Sequence, residues 1–142
     1  MRRALVVVLA LGLLLGACSK KSETETETEP AGGTGSCGAA PTALANIPSD
    51  IQAFPGPSDL TITDVEVAGP STIVSGSIDG GLDEVFDSYK TAFDQAGYTV
   101  TSSEKEEDDA EVNFSGNSTT GQVKLSVPCE GRTDVSITIR PA

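Results

Sequence analysis

The stretch GLDEVFDSYKTAFDQAGY, residues 81–98, decides the fold of this chain. Its apolar side chains recur at steps of three and four residues, which is the spacing of one face of a helix. Gly97 is expected to end that helix in a left-handed conformation, with Tyr98 folding back onto Phe93. The residues predicted to form the buried face of the helix are Leu82, Val85, Phe86, Tyr89, Ala92, Phe93 and Ala96.

Two predicted strands precede the helix and four follow it. From Leu60 to Ala68 apolar residues alternate with polar ones, and a slip near Thr63-Asp64 indicates a β-bulge. A Gly-Pro turn signal then leads into a second alternating run, so a hairpin is expected. After the helix, four alternating segments joined by short polar turns predict an antiparallel meander with one buried face. The fold class is therefore α+β: a two-layer domain with one helix packed on an antiparallel sheet, ββα followed by a β-meander.

The segment before the first strand, residues 41–58, is rich in proline and alanine. Prolines at these intervals exclude a helix and a central strand, so an extended lead-in is expected. Ile47, Ile51 and Phe54 are predicted to tuck against the core.

Cys37 opens the predicted folded part and Cys129 lies near its end. In an oxidising compartment these two cysteines are expected to form a disulfide bond. A redox-active pair is the alternative, but the close Cys-x-x-Cys spacing is missing. Cys129 shares its parity with Val123, Leu125 and Val127, which predicts that it points toward the side covered by the helix.

Residues 1–17 have the pattern of a secretory signal peptide. Met1-Arg2-Arg3 precedes an apolar run that ends at Ala17, shorter than the roughly 20 residues of a membrane-spanning helix. Leu15-Gly16-Ala17-Cys18 resembles the bacterial lipobox. The resemblance implies that Cys18 is acylated, becomes the mature N-terminus and anchors the protein on the outer face of the cell membrane, or in the outer membrane of a two-membrane bacterium. Ordinary secretion is the alternative.

Residues 18–36 are expected to be a disordered, lipid-anchored tether rich in Glu, Thr and Gly, ahead of a single domain over residues 37–142. The tether holds no apolar residue larger than alanine apart from its first cysteine, so nothing offsets the entropy of ordering it. Its alternating glutamates repel one another and extend the chain. A solvated spacer is the favoured interpretation, and glycosylation of its threonines is the alternative.

Charge and composition exclude several classes of function. After residue 17 the chain has 21 acidic and seven basic side chains, a formal charge of −14. So acidic a chain has no electrostatic route to nucleic acid. The absence of histidine removes the commonest general base and the usual catalytic zinc sites. We expect neither enzymatic activity nor a cofactor.

The run from Glu104 to Asp109 places five carboxylates in six residues. Calcium prefers several oxygen ligands, so a calcium or small-ligand site is one interpretation. A charged hairpin tip is the favoured one, because the spacing is not that of an EF-hand loop. The candidate ligands are Glu106, Glu107, Asp108 and Asp109.

The polar positions of the predicted strands form a second candidate site. A broad face of hydroxyls and amides could dock a partner protein or a cell-wall polymer. The alternative is that half-exposed strands simply favour Thr and Ser. The residues of this face are Thr99, Thr101, Asn113, Gln122, Lys124, Ser136, Thr138 and Arg140.

Residues 46–101 also resemble small exported bacterial domains, often lipid-anchored, that lack an assigned activity. The resemblance rests on Ile47-Pro48, Phe54-Pro55-Gly56, the hairpin, Tyr89-Lys90 and Ala96-Gly97-Tyr98. It implies the fold and the location and no chemistry. We therefore expect a lipid-anchored envelope protein that acts as a binding or protein-interaction module.

Overall fold

The computed structural model describes residues 35–142. The predicted signal peptide, the lipobox with Cys18 and most of the predicted tether lie outside these residues. Within the described range no helix has the length and apolar character needed to span a membrane. The elements are α1 (Ser49–Gln52), β1 (Thr61–Ala68), β2 (Ser71–Asp79), α2 (Leu82–Gln95), β3 (Thr99–Lys105), β4 (Asp109–Gly116), β5 (Thr119–Cys129) and β6 (Arg132–Pro141).

All six strands form one antiparallel sheet with the order β1-β2-β6-β5-β4-β3. The meander from β3 to β6 folds back so that β6 pairs with β2, which leaves β1 and β3 as the two edges. Strands account for 51% and helices for 17% of the described residues, so the domain is mostly β. The expected order of ββα followed by a β-meander is confirmed, but the expected single helix is wrong, because α1 precedes β1.

Helix α2 packs on one face of the sheet, against β3, β4, β5 and β6. Tyr89 and Phe93 on the helix and Val112, Phe114 and Val123 on the sheet are fully buried between the two layers. The rings of Phe93 and Phe114 lie 4.7 Å apart at their centroids, the closest pair of an aromatic cluster. Burial of this apolar stripe is the main force that holds the helix on the sheet.

The C-terminus of α2 is a Schellman motif, as the sequence predicts. The amide of Tyr98 donates to the carbonyl of Phe93 at 2.9 Å and that of Gly97 to Asp94 at 3.1 Å. Gly97 has a φ of +75°, a left-handed conformation that glycine adopts without steric cost. The rings of Phe93 and Tyr98 are 5.8 Å apart, which is the predicted contact across the cap.

The expected bulge in β1 is confirmed, because the β1–β2 register shifts between Ile62 and Asp64. Two further shifts were not expected. One lies in β3 between Val100 and Ser102, and the other in β5 before Cys129. Each bulge reverses which residues face the helix beyond it.

The exclusion of helix from the lead-in is wrong. Residues Ser49–Gln52 form the single turn of α1 between two prolines. Pro48 needs no hydrogen-bond donor at the start of a helix, and its carbonyl accepts from the amides of Ile51 and Gln52 at 3.1 and 3.0 Å. The apolar part of the prediction holds: Ile51 is buried, and Ile47 and Phe54 pack against the core.

Candidate binding surface on the outer sheet face

We call the face of the sheet opposite α2 the outer face. It carries the strand positions that alternate with the buried ones, and the antiparallel register aligns these positions in rows across the strands. In one row Ser102, Asn113, Gln122 and Thr138 lie side by side from β3 to β6. Across these four strands the outer face therefore presents a row of hydroxyl and amide groups.

The register pairs seven of the eight predicted surface residues with partners on this face. Thr101 is the extra residue of the β3 bulge and has no partner in the register, so that Ser102 takes the position opposite Asn113. The others are Thr99, Asn113, Gln122, Lys124, Ser136, Thr138 and Arg140.

Hydrogen bonds between neighbouring strands order the centre of the outer face. Asn113 Nδ2 donates to Ser102 Oγ at 3.1 Å, and Gln122 Nε2 donates to Asn113 Oδ1 at 3.2 Å. The same Gln122 nitrogen lies 2.9 Å from Glu111 Oε2, whose other oxygen accepts from Lys124 Nζ at 2.8 Å. The network holds these side chains in fixed positions before any ligand arrives.

An open groove of about 670 Å³ runs across the outer face. It spans five of the six strands, from Thr63 on β1 to Asp109 and Glu111 on β4, and Pro41 and Thr42 of the lead-in form one wall. The polar side chains along its floor are those of Ser75, Ser77, Lys124, Ser126, Asp134 and Ser136.

The charge of this groove is negative on balance. Three carboxylates, on Asp109, Glu111 and Asp134, line it together with the single ammonium of Lys124. The hydrogen bond from Lys124 to Glu111, and then the negative charge of Glu111 and of Asp109, raise the pKa of the lysine above its ordinary value. Lys124 is therefore held in its cationic form.

The predicted disulfide fixes the wall of the groove. Cys37 and Cys129 are bonded, with their Cα atoms 5.1 Å apart. Beside them Ser36 forms a parallel bridge with Glu130, so ordered contacts begin before residue 37, the expected start of the domain. A third contact at this point is a hydrogen bond from Nη2 of Arg132 to the carbonyl oxygen of Gly38, at 3.4 Å.

The predicted direction of Cys129 is wrong. The β5 bulge places Cys129 opposite Arg132, whose guanidinium lies beside Asp79 on the outer face. Cross-strand partners point to the same side of a sheet, so the disulfide belongs to the outer face and not to the helix side. The lead-in therefore starts on the outer face and passes around β1 to reach the core. There the ring centroids of Phe54 and Phe114 lie 5.5 Å apart.

The acidic run, residues 104–109, forms the tip of the β3–β4 hairpin, which is the interpretation that the sequence favoured. The amide of Glu106 donates to the carbonyl of Asp109 at 2.8 Å, and the carbonyl of Asp108 accepts from Val127 at 2.9 Å. Over residues 35–142 no three Asp, Glu, Cys or His side chains come close enough together to hold a metal ion. The calcium site at Glu106, Glu107, Asp108 and Asp109 stays a prediction without support from the geometry.

The sequence pattern places Glu111 and Asp134 at polar positions that alternate with apolar ones, but the predicted surface did not include them or Asp109. The alternation that puts them on the outer face is clear in the structure. Glu111 alternates with the buried Ala110 and Val112, and Asp134 alternates with the buried Thr133 and Val135. Pro41 and Thr42 left no such signal, since their position depends on a bond between residues 37 and 129.

Comparison with known proteins adds no assignment to this geometry: no protein-family model, curated protein sequence or solved structure matches the chain.

Proposed function

We propose that this protein is an exported lipoprotein, anchored through Cys18, whose outer sheet face binds a partner protein or a cell-wall polymer without catalysing a reaction. The groove across the outer face carries the proposal. It is open, carries hydroxyl and charged side chains on its floor, and is bounded by a wall that the disulfide fixes in place. A pre-ordered surface loses little entropy when it binds.

The disulfide supports an extracytoplasmic location. Disulfides persist in oxidising compartments and are rare where thiols are kept reduced. The bond between Cys37 and Cys129 closes a long loop, with a sequence separation of 92 residues. Together with the lipobox at Leu15-Gly16-Ala17-Cys18, this favours a protein that folds outside the cytoplasm.

The chemistry of the groove favours binding over catalysis. A nucleophilic lysine needs a lowered pKa, whereas Lys124 is shifted upward by Glu111. Glu111 in turn has both of its oxygens engaged, with Gln122 and with Lys124. These groups are arranged to hold each other and to offer hydrogen bonds to a ligand that brings donors of its own.

The location is tested on the mature protein. Mass spectrometry of its N-terminus is expected to show residues 1–17 removed and two or three acyl chains on Cys18. Cys18→Ser is expected to release the protein from the membrane fraction or to block its processing. An unmodified Cys18, or an unchanged membrane fraction for the variant, contradicts the anchor.

Binding by the outer face is tested with a pair of variants. Ser136→Arg places a long cation on the floor of the groove, and Gln95→Arg adds the same side chain at an exposed position of α2. We expect photo-cross-linking from position 122 in intact cells, or co-sedimentation with purified cell wall, to be lost with Ser136→Arg and kept with Gln95→Arg. Equal capture by both variants contradicts a role for the groove.

A further inference from the structure

The outward side of edge strand β1 is largely unpaired. The amide of Leu44 donates to the carbonyl of Ile62 at 2.7 Å, so the lead-in already occupies one end of this edge. The backbone groups of residues 64–68 form hydrogen bonds with β2 and with no other part of residues 35–142. A free edge of this length offers a row of donors and acceptors to an incoming strand.

The side chains along this edge alternate in character. Asp64 and Glu66 face the outer side, and Val65 and Val67 face the helix side beyond the end of the core. Val67 is 75% exposed, and among the residues that the structure describes it is the one large hydrophobic side chain classed as exposed. A complementary strand would place basic residues opposite the two acids and apolar residues opposite the two valines.

The charged side chains of β1 and of its neighbour β2 are all acidic. Residues 35–89 contain eight Asp and Glu and no Lys or Arg, so every cation of the described part occurs at Lys90 or later. Neither β1 nor its neighbour β2 carries a positive charge that could neutralise Asp64 and Glu66. The field at β1 attracts basic segments and repels acidic ones.

The two edges differ in where their bulges lie. The β1 bulge at Thr63 precedes residues 64–68, whereas the β3 bulge at Thr101 divides that shorter strand, and Lys105 near the end of β3 is engaged by Asp83 of α2. A bulge and mixed charges hinder strand addition. Of the two edges, β1 is the one suited to accept a strand.

We infer that the edge of β1 from Asp64 to Ala68 binds an extended segment of a partner protein in which basic residues alternate with apolar ones, by addition of a strand to the sheet. The surface is separate from the groove on the outer face. A second copy of this chain is a poor occupant, because antiparallel pairing of two β1 strands would bring Asp64 and Glu66 of each copy together.

The test uses the full chain in neutral detergent micelles and a capped peptide of sequence Thr-Lys-Val-Lys-Val-Lys-Thr. Binding is expected to slow amide hydrogen exchange in residues 64–68, measured by NMR. A control peptide of the same sequence, methylated on its lysine and valine amides, keeps the charge but cannot donate hydrogen bonds from its five central amides. It is expected to bind at least about tenfold more weakly. This comparison uses the unmodified protein, so it does not depend on the folding of a variant.

Two charge-reversal variants complete the test. Asp64→Lys combined with Glu66→Lys is expected to weaken peptide binding about tenfold. Asp87→Lys combined with Asp94→Lys changes the net charge equally at exposed positions of α2 and is expected to have a much smaller effect.

Several outcomes overturn the inference. The methylated peptide could bind equally well, or both charge-reversal variants could lose binding equally. The peptide could also slow amide hydrogen exchange only in residues of the outer face. Loss of binding in Ser136→Arg would show that the peptide occupies the groove instead. Concentration-dependent dimers that protect residues 64–68 without peptide would assign the edge to a second copy.

Discussion

Nη1 of Arg132 donates a hydrogen bond to the carbonyl oxygen of Ala39 across 3.2 Å, joining two residues that are 93 positions apart in the chain. The guanidinium is largely buried, with 14% of the side chain exposed, and its Nε lies 3.4 Å from Asp79 Oδ1. The contact sits next to the disulfide between Cys37 and Cys129. Together they attach the start of the domain to the β5–β6 hairpin.

Replacing both bonded cysteines with serine is expected to lower the melting temperature by several degrees. A loop of about 90 residues corresponds to roughly 4–5 kcal/mol in chain-entropy models, as an upper value. Limited proteolysis of Cys37→Ser with Cys129→Ser should cut within residues 35–45, while circular dichroism retains the signal of the sheet. Thiol titration that finds both cysteines free in the unreduced protein would contradict the bond.

Tyr89→Phe is expected to leave the protein at least as stable as the parent. The Tyr89 side chain is fully buried, and its hydroxyl has no hydrogen-bond partner among the described residues. Removing an unpaired buried hydroxyl relieves a desolvation cost of about 1–3 kcal/mol, offset by the packing that the oxygen leaves behind. Urea denaturation at pH 7 should show an unfolding free energy that is unchanged or higher by about 1 kcal/mol. A loss of more than that would indicate a partner for the hydroxyl.

The same substitution is expected to change the response to alkaline pH. Burial, and to a lesser degree the charge of Asp59, raises the pKa of Tyr89 above its ordinary value of 10.0. Above pH 10 the unfolded chain releases this proton while the folded protein keeps it, so the stability falls as pH rises. The unfolding free energy of Tyr89→Phe should fall less steeply between pH 9 and 11 than that of the parent protein. Parallel curves would show that the Tyr89 phenol does not contribute.

Gly121→Ala is expected to destabilise the sheet by about 3 kcal/mol, because the site is overpacked. A Cβ atom at Gly121 would collide with the carbonyl oxygen of Thr138 and lie 2.6 Å from Cζ of Phe114. Gly38→Ala is the matched control, since a Cβ there meets nothing within 4 Å. Thermal unfolding of the two variants should differ by well over the error of the measurement, and similar melting temperatures would contradict the packing around Gly121.

Phe54→Ala is expected to cost about 2 kcal/mol and to loosen the lead-in at its second attachment. The ring of Phe54 lies 6.0 Å from the rings of both Phe93 and Tyr98. Amide exchange in residues 47–54 should accelerate, while exchange of the Glu130 amide, which donates to Gly35 at 3.2 Å beside the intact disulfide, stays unchanged. Acceleration at both places would mean that the lead-in is not held at two separate points.

The periodic parts of the fold were readable from the sequence. Helix α2 and its cap follow from apolar spacing and Gly97, and the β1 bulge follows from a visible slip in the alternation. The β3 bulge at Thr101 leaves no trace, because its neighbours Ser102 and Ser103 are polar and give no phase to follow. Pro128 is a signal of the β5 bulge that the prediction did not use, since proline inside a sheet is confined to edges and bulges.

The candidate site was predicted less completely than the fold. Strand parity is enough to place Gln122 and Lys124 on the outer face, because alternation persists along β5 up to Ser126. The groove also needs the lead-in as a wall, and the side of the sheet on which the lead-in runs depends on Cys129. The β5 bulge reverses the direction of Cys129. An error of one residue in the strand phase therefore moves the lead-in from one face of the sheet to the other.

The disulfide also determines how the domain bears mechanical load. A pull applied on the N-terminal side of Cys37 enters Cys129 directly, at the end of β5. β5 and β6 are the two central strands of the sheet, and each is hydrogen-bonded on both sides. The lead-in, α2 and the edge strand β1 all lie inside the covalent loop and outside the path of the force. Tension on the N-terminal chain therefore acts on the most strongly paired part of the sheet and does not peel the lead-in from the core.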